Sequence, residues 1–192
     1  SRREKDGLKR NFLLLLRASE LIEVRVYSLE YDWIMALKDS LLQFVSQGGK
    51  MRFVVSLTDL DEHEKEAFLM HHDDEIESII KKEIVDRFKM DLPYYEQRLL
   101  QYLSYLIAAG ILEIVVSVPK LQCEPLDQIV FLSEGKDTVC FHGPFFGPVP
   151  PAEDTDIFVS WDQRDHLRID SYKSEFENEW KGKVDTVWSV PL

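Results

Sequence analysis

The chain has 192 residues, of which 45% are hydrophobic, and this length and composition suit a single domain with a sizeable core. Its 35 acidic residues outnumber its 23 basic ones, giving a formal net charge of −12. Because phosphate neutralisation supplies most of the affinity of nucleic-acid-binding proteins, this balance argues against DNA as a tight partner. The longest apolar run, residues 12–16, is far too short to cross a membrane.

Hydrophobic periodicity predicts six helices and seven strands along the chain. The helices are predicted at residues 8–20, 31–47, 94–109 and 164–181, with two more in the charged stretch 61–89, which is divided near residues 70–74. The strands are predicted at residues 22–27, 51–57, 112–118, 126–132, 157–161 and 184–190, with another that starts at residue 138 and runs into a loop.

The order of these elements predicts the fold class. A β-α-β order over residues 22–57 favours parallel pairing of the first two strands, and the near-continuous apolar run 51–57 is typical of a buried parallel strand. We expect an α/β fold, with a mixed, largely parallel sheet of about six or seven strands and helices on both faces.

The two cysteines bear on the cellular setting. Cys123 and Cys140 are too few for a disulfide framework, and no C-x-x-C pair indicates structural zinc. No secretory signal is visible, so a reducing, cytoplasmic setting is expected. The chain starts at Ser1 rather than Met, which predicts a processed product or a fragment of a larger protein. Residues 1–192 are expected to form one domain.

Several segments together carry a resemblance to a known family. They are residues 19–29, 47–55, 106–120, 138–143 and 156–161, followed by residues 176–180 at the end of the last helix. In order and spacing they resemble the phospholipase D-like domain found beside helicase modules and in restriction-type proteins. The resemblance covers most of the chain and implies a phospholipase D-like fold in a helicase or restriction and defence system.

In active relatives a His-x-Lys pair opens the strand that corresponds to residues 126–132. The His attacks phosphorus, the Lys steadies the phosphoryl oxygens, and an Asn in a later loop helps to bind the phosphate. Here Leu126 stands at the His position, Gln128 at the Lys position and Phe146 in the later loop. Leucine cannot attack phosphorus and glutamine carries no charge. The resemblance therefore predicts a degenerate pseudoenzyme that uses no cofactor or metal.

A domain of this kind is expected to act as an interaction or assembly module, as a homodimer or with another protein partner and without a membrane. The stiff aromatic tip Pro144, Phe145 and Phe146 is the candidate interface, because phenylalanine is enriched in interface cores. An equally open interpretation is that these rings fill the vacated pocket.

Two alternatives remain open. One is a non-cleaving nucleic-acid-binding module that binds weakly through Lys50, Arg52, Lys120 and Lys136. The other is a metal-dependent nuclease or phosphodiesterase built on the acidic, His-rich stretch 59–75, although a solvated helix junction is the favoured interpretation there. His142 as a replacement nucleophile is less favoured than a packed histidine at a strand end.

Overall fold

The structure, a computed structural model, describes residues 2–27, 31–85, 94–120, 123–143 and 155–192. Its helices are α1 (Arg2–Ala18), α2 (Tyr31–Ser46), α3 (Glu62–Leu69), α4 (Asp73–Ile80), α5 (Tyr94–Ala108) and α6 (Gln163–Trp180), and a π-helical turn follows α4 at Lys81–Val85. Its strands are β1 (Leu21–Val26), β2 (Lys50–Ser56), β3 (Leu112–Pro119), β4 (Ile129–Glu134), β5 (Asp137–His142), β6 (Asp156–Val159) and β7 (Val187–Pro191). None of the described helices combines the length and apolar character that crossing a bilayer takes.

The seven strands form one mixed sheet in the order β6-β5-β4-β1-β2-β3-β7. The α/β class and the strand number are therefore confirmed. The expectation of a largely parallel sheet is wrong, because only β1–β2 and β2–β3 are parallel while the other four pairs are antiparallel. The physical reason lies in the connections: a two-residue turn at Gly135–Lys136 can join β4 to β5 only as an antiparallel hairpin.

Helices cover both faces of the sheet, but unevenly. The first face carries the larger apolar cluster, to which α1–α5 all contribute; it includes Phe12, Leu37, Phe44, Phe68, Ile79 and Leu106. The second face carries a smaller cluster, whose helical members Ile169 and Phe176 both come from α6. Charged side chains lie between α6 and this second face, which makes it the more informative side for function.

The strand that was predicted to begin at Leu126 begins instead at Ile129. The β1–β4 ladder ends at the pair formed by Arg25 and Ile129. Just beyond it, the carbonyl oxygen of Asp127 accepts a hydrogen bond from the Arg25 guanidinium rather than from a strand partner. Residues 126–128 consequently form an extended approach to β4 and are not part of the sheet.

The turn from α2 into β2 depends on a close backbone approach. Gly49 lies against the ring of Phe44, and a Cβ at this position would overlap that ring. Phe44 is fully buried, so its ring has little space into which it can move. Gly48 next to it has a φ of +85° with open space around its Cα, so the two glycines are required for different reasons.

We predict that Gly49→Ala destabilises the protein by about 1–3 kcal/mol through overpacking, and that Gly48→Ala costs only about 1 kcal/mol through its positive φ. Urea unfolding followed by circular dichroism measures both. In a Phe44→Leu background the cost of Gly49→Ala should shrink and that of Gly48→Ala should not. Equal costs in both backgrounds would show that the Phe44 ring is not the obstacle.

Candidate functional site

The candidate site is the end of the sheet where β4 begins and β5 ends, beside Leu126 and Gln128, which the resemblance predicts to stand at the positions of a nucleophile and a cation. Leu126 is half-buried there, and the Gln128 side chain is buried. The side-chain oxygen of Gln128 is 3.5 Å from the backbone nitrogen of Tyr27, and its backbone carbonyl accepts the Gly143 N–H at 3.1 Å. Gln128, just before β4, is therefore held by contacts to the residues that follow β1 and β5.

His142, the last residue of β5, is held in place from two sides. Its Nε2 lies 3.3 Å from an Asp127 carboxylate oxygen, and its ring stacks on Tyr172 of α6 with 4.5 Å between ring centroids. Burial raises the pKa of the Tyr172 hydroxyl, which keeps that ring neutral beside the histidine. A histidine paired with a carboxylate can exchange a proton, but contacts of this kind also match the packed strand-end histidine expected from the sequence.

Cys140 lies on the same face of β5 as His142 and is fully buried. Burial raises the pKa of its thiol to about 12. Only the thiolate is a nucleophile or a metal ligand, so this sulfur is inert near neutral pH. The structure thus agrees with the interpretation of Cys140 as a small core residue.

Arg25 reaches this end of the sheet, and every nitrogen of its guanidinium makes a hydrogen bond. The side chain is 1% exposed, Nε donates to Glu179 at 2.6 Å and Nη2 donates to Glu175 at 2.8 Å. Nη1 donates to the carbonyl oxygen of Asp127 at 2.9 Å. Each of its three nitrogens thus has a partner, and a phosphate that took over one of these donors would have to displace the partly exposed Glu175 carboxylate, the buried Glu179 carboxylate or the Asp127 carbonyl.

A second arginine, Arg52 on β2, is paired less completely, because Nη2 makes both of its carboxylate contacts and its buried Nε has no hydrogen-bond partner among the described residues. It forms ion pairs with Glu23 and with Glu177, and its guanidinium lies 5.1 Å from the centroid of the Trp180 ring. Burial favours the neutral form of Arg52, but hydrogen bonds to Glu177 and Glu23 outweigh it and raise the pKa. Together these contacts, with those of Arg25, form a layer of paired charges beneath α6, which we call the charge layer. Its members are Glu23, Arg25, Arg52, Lys173, Glu175, Glu177 and Glu179.

The four candidate nucleic-acid contacts do not come together. Lys50 and Lys136 lie at the end of the sheet where β1 and β2 begin, whereas Lys120 follows β3 at the opposite end, about 30 Å away at 3.3 Å per strand residue. Lys120 Nζ lies 5.9 Å from the centroid of the Trp188 ring. The guanidinium of Arg52 is taken up by the charge layer.

The remaining sequence predictions concern the aromatic tip and the His-rich stretch. The candidate interface Pro144, Phe145 and Phe146 lies outside the described residues. In the His-rich middle, both His63 and His72 place Nδ1 3.3 Å from the Glu75 carboxylate. Over the ranges that the structure describes, no group of three or more His, Cys, Asp or Glu residues could hold a metal ion.

Sequence reasoning missed the charge layer, although a signal for it exists. Arg25 and Arg52 each interrupt a strand that is otherwise largely apolar, and Glu175 and Glu179 stand four residues apart on the last helix. Charged residues at buried strand positions are rare unless they are paired. A strand arginine together with one helical row of glutamates therefore indicates ion pairs between the helix and the sheet.

We predict that Arg25→Met or Glu179→Leu alone lowers the free energy of unfolding by about 3–5 kcal/mol, because each leaves a buried charge without its partner. The loss in the free energy of unfolding of the double variant should be much smaller than the sum of the two single losses. A double-mutant cycle by urea unfolding measures this coupling. Additive losses would show that the two side chains do not interact in the folded protein.

The pH dependence of stability tests the other half of the charge layer. The Arg52 hydrogen bond holds the pKa of Glu177 below its ordinary value of 4.5, with Lys181 acting in the same direction. A carboxyl group whose pKa is lower when folded stabilises the protein above its unfolded pKa, and this contribution is lost as the pH falls through the folded pKa.

Glu177→Gln should therefore lower the urea midpoint at pH 7, and the difference from the wild type should shrink on acidification below about pH 4.5, the unfolded-state pKa of a glutamate. Glu134→Gln, at the exposed last residue of β4, serves as the control. It should change neither the urea midpoint at pH 7 nor its dependence on pH. A wild-type advantage that persists in acid would contradict the role given to Glu177.

No protein-family model matches the chain. No curated protein gives a significant match either.

Proposed function

We propose that this chain is a catalytically inactive phospholipase D-like domain that serves as an interaction or assembly module, within a helicase or a restriction and defence system. One observation carries the proposal: the positions that correspond to the nucleophile and the cation hold Leu126 and a buried, backbone-bonded Gln128. Neither residue can perform phosphoryl transfer.

The charges around this end of the sheet support the same conclusion. Phosphoryl transfer requires cations aimed at the phosphate oxygens. Arg25 is bound by two glutamates and a carbonyl oxygen, and the exposed carboxylate of Asp127 lies beside His142. An approaching phosphate would meet a carboxylate rather than a free guanidinium.

The sheet edges bear on how such a module would assemble. The outward N–H of Val159 on β6 donates to the Asp165 side chain, and Pro191 on β7 has no N–H to offer. Protected edges of this kind disfavour strand addition. Association would therefore proceed through side-chain surfaces, and the segment containing Pro144, Phe145 and Phe146 remains our candidate for self-association.

The test of inactivity uses bis(4-nitrophenyl) phosphate and labelled single- and double-stranded DNA, each with Mg²⁺ or with EDTA. We expect no hydrolysis above the buffer rate. Cleavage that EDTA abolishes would favour the metal-dependent alternative. Cleavage that resists EDTA and is lost in His142→Gln would make His142 a replacement nucleophile.

The nucleic-acid-binding alternative is tested by fluorescence anisotropy with labelled DNA at low salt. An interaction module with these charges should bind weakly or not at all. Tight, salt-dependent binding that falls in Lys50→Ala with Lys136→Ala, but not in Lys120→Ala, would favour the alternative. Sedimentation over a range of concentrations tests pairing, and a monomer at all concentrations would rule out the homodimer.

A further inference from the structure

The negative charge of the chain is concentrated in one short stretch. Residues 59–77 contain nine acidic residues and one lysine, a formal charge of −8 against −12 for the whole chain. In the structure this stretch is the helical hairpin formed by α3 and α4. Its inner side is apolar and buried, through Ala67, Phe68 and three isoleucines of α4. The carboxylates consequently occupy its outer side.

Two large apolar side chains stand exposed at the end of this hairpin. Leu69 is 49% exposed and Met70 is 63% exposed, although the preceding Phe68 is buried and stacks on Trp188. Isolated exposed apolar residues are common on protein surfaces. Here the two are adjacent, and the exposed residues Glu62, Glu66, Asp73 and Asp74 lie on the two helices that they join. We call this set of six residues the acidic tip.

The backbone of the acidic tip is fixed in place. His71 has a φ of 53°, a conformation that few residues other than glycine adopt, and the His72 N–H closes the end of α3 by donating to the Ala67 carbonyl at 3.1 Å. A reciprocal capping box between Asp61 and Glu64 closes the other end of α3. A binding surface that is ordered in advance loses less entropy when its partner docks.

We propose that the acidic tip docks a basic amphipathic segment of a partner protein. Leu69 and Met70 would receive apolar side chains, and methionine adapts readily to different shapes. The surrounding carboxylates would attract lysine and arginine and would repel both nucleic acid and the acidic surface of a second copy. Charge complementarity thus selects a basic occupant.

This inference does not depend on the proposed loss of catalysis. The stacking of Phe68 on Trp188 places the hairpin at the β7 side of the sheet, whereas the β4–β5 end lies on the other side of β1. The two proposals can therefore fail separately, since one is measured by phosphodiester cleavage and the other by peptide binding.

The test uses the full chain and a synthetic 18-residue lysine/leucine peptide with its leucines at helical spacing. Fluorescence anisotropy should show binding that weakens as salt is added. A peptide of the same composition with its leucines scattered around the helix, and a glutamate/leucine counterpart, should both bind at least about tenfold more weakly, a difference of 1.4 kcal/mol.

Matched variants locate the binding surface. Leu69→Ser with Met70→Ser should weaken binding about tenfold or more. Leu167→Ser, at a position on α6 that is 76% exposed, should leave binding unchanged. Asp73→Asn with Asp74→Asn should weaken binding and flatten its salt dependence. Glu134→Gln with Asp137→Asn removes the same charge at another exposed turn. It should change neither the affinity for the peptide nor its salt dependence.

Three results would overturn the proposal. They are failure of the lysine/leucine peptide to bind, equal losses in the tip variants and their matched controls, and a tip variant that turns a dimer into a monomer without affecting the peptide. The last would make a second copy the occupant. Because all the substituted side chains are exposed, circular dichroism should show each variant folded.

Discussion

The buried ion pair between Arg25 and Glu179 is the interaction on which the second face of the sheet depends. Both side chains are almost completely removed from solvent, so each charge would be very costly without the other. The pair fixes where the carboxyl-terminal half of α6 lies on the sheet. That position in turn sets the contacts of Tyr172 with His142 and of Trp180 with Arg52. One electrostatic constraint therefore positions most of the groups around the candidate site.

The same constraint explains why this end of the sheet is poorly suited to anions. An arginine can bind a phosphate only if its N–H donors are available. Arg25 donates hydrogen bonds to Glu175, Glu179 and the Asp127 carbonyl instead. A buried layer of this kind contributes less to net stability than to a unique docking of the helix, because replacement by apolar residues is often neutral. We therefore regard the charge layer as a device that specifies the position of α6.

The sequence was sufficient to predict the helices and strands, because their apolar periodicity is strong. It did not give the direction of most strand pairs, since the two-residue connection after β4 was outweighed by an α/β order that favours parallel strands elsewhere. The assignment of Leu126 and Gln128 to catalytic positions stays a prediction from the resemblance. The start of β4 at Ile129 could not be predicted, because it coincides with a hydrogen bond from Arg25 to the Asp127 carbonyl, 102 residues away in sequence. A hydrogen bond between a side chain and such a distant backbone carbonyl has no local sequence pattern.

The charges of this chain are used in two different ways. Beneath α6 the carboxylates form ion pairs with arginines and a lysine, with Glu179 buried and with Glu175 and Glu177 partly exposed. On the α3–α4 hairpin most of them face solvent around Leu69 and Met70. Carboxylates without a cationic partner produce a negative potential that extends over about 8 Å at physiological salt and can steer a basic partner. Carboxylates that are paired with cations cannot do so. The electrostatics therefore direct a search for partners to the hairpin rather than to the end of the sheet where β4 begins and β5 ends.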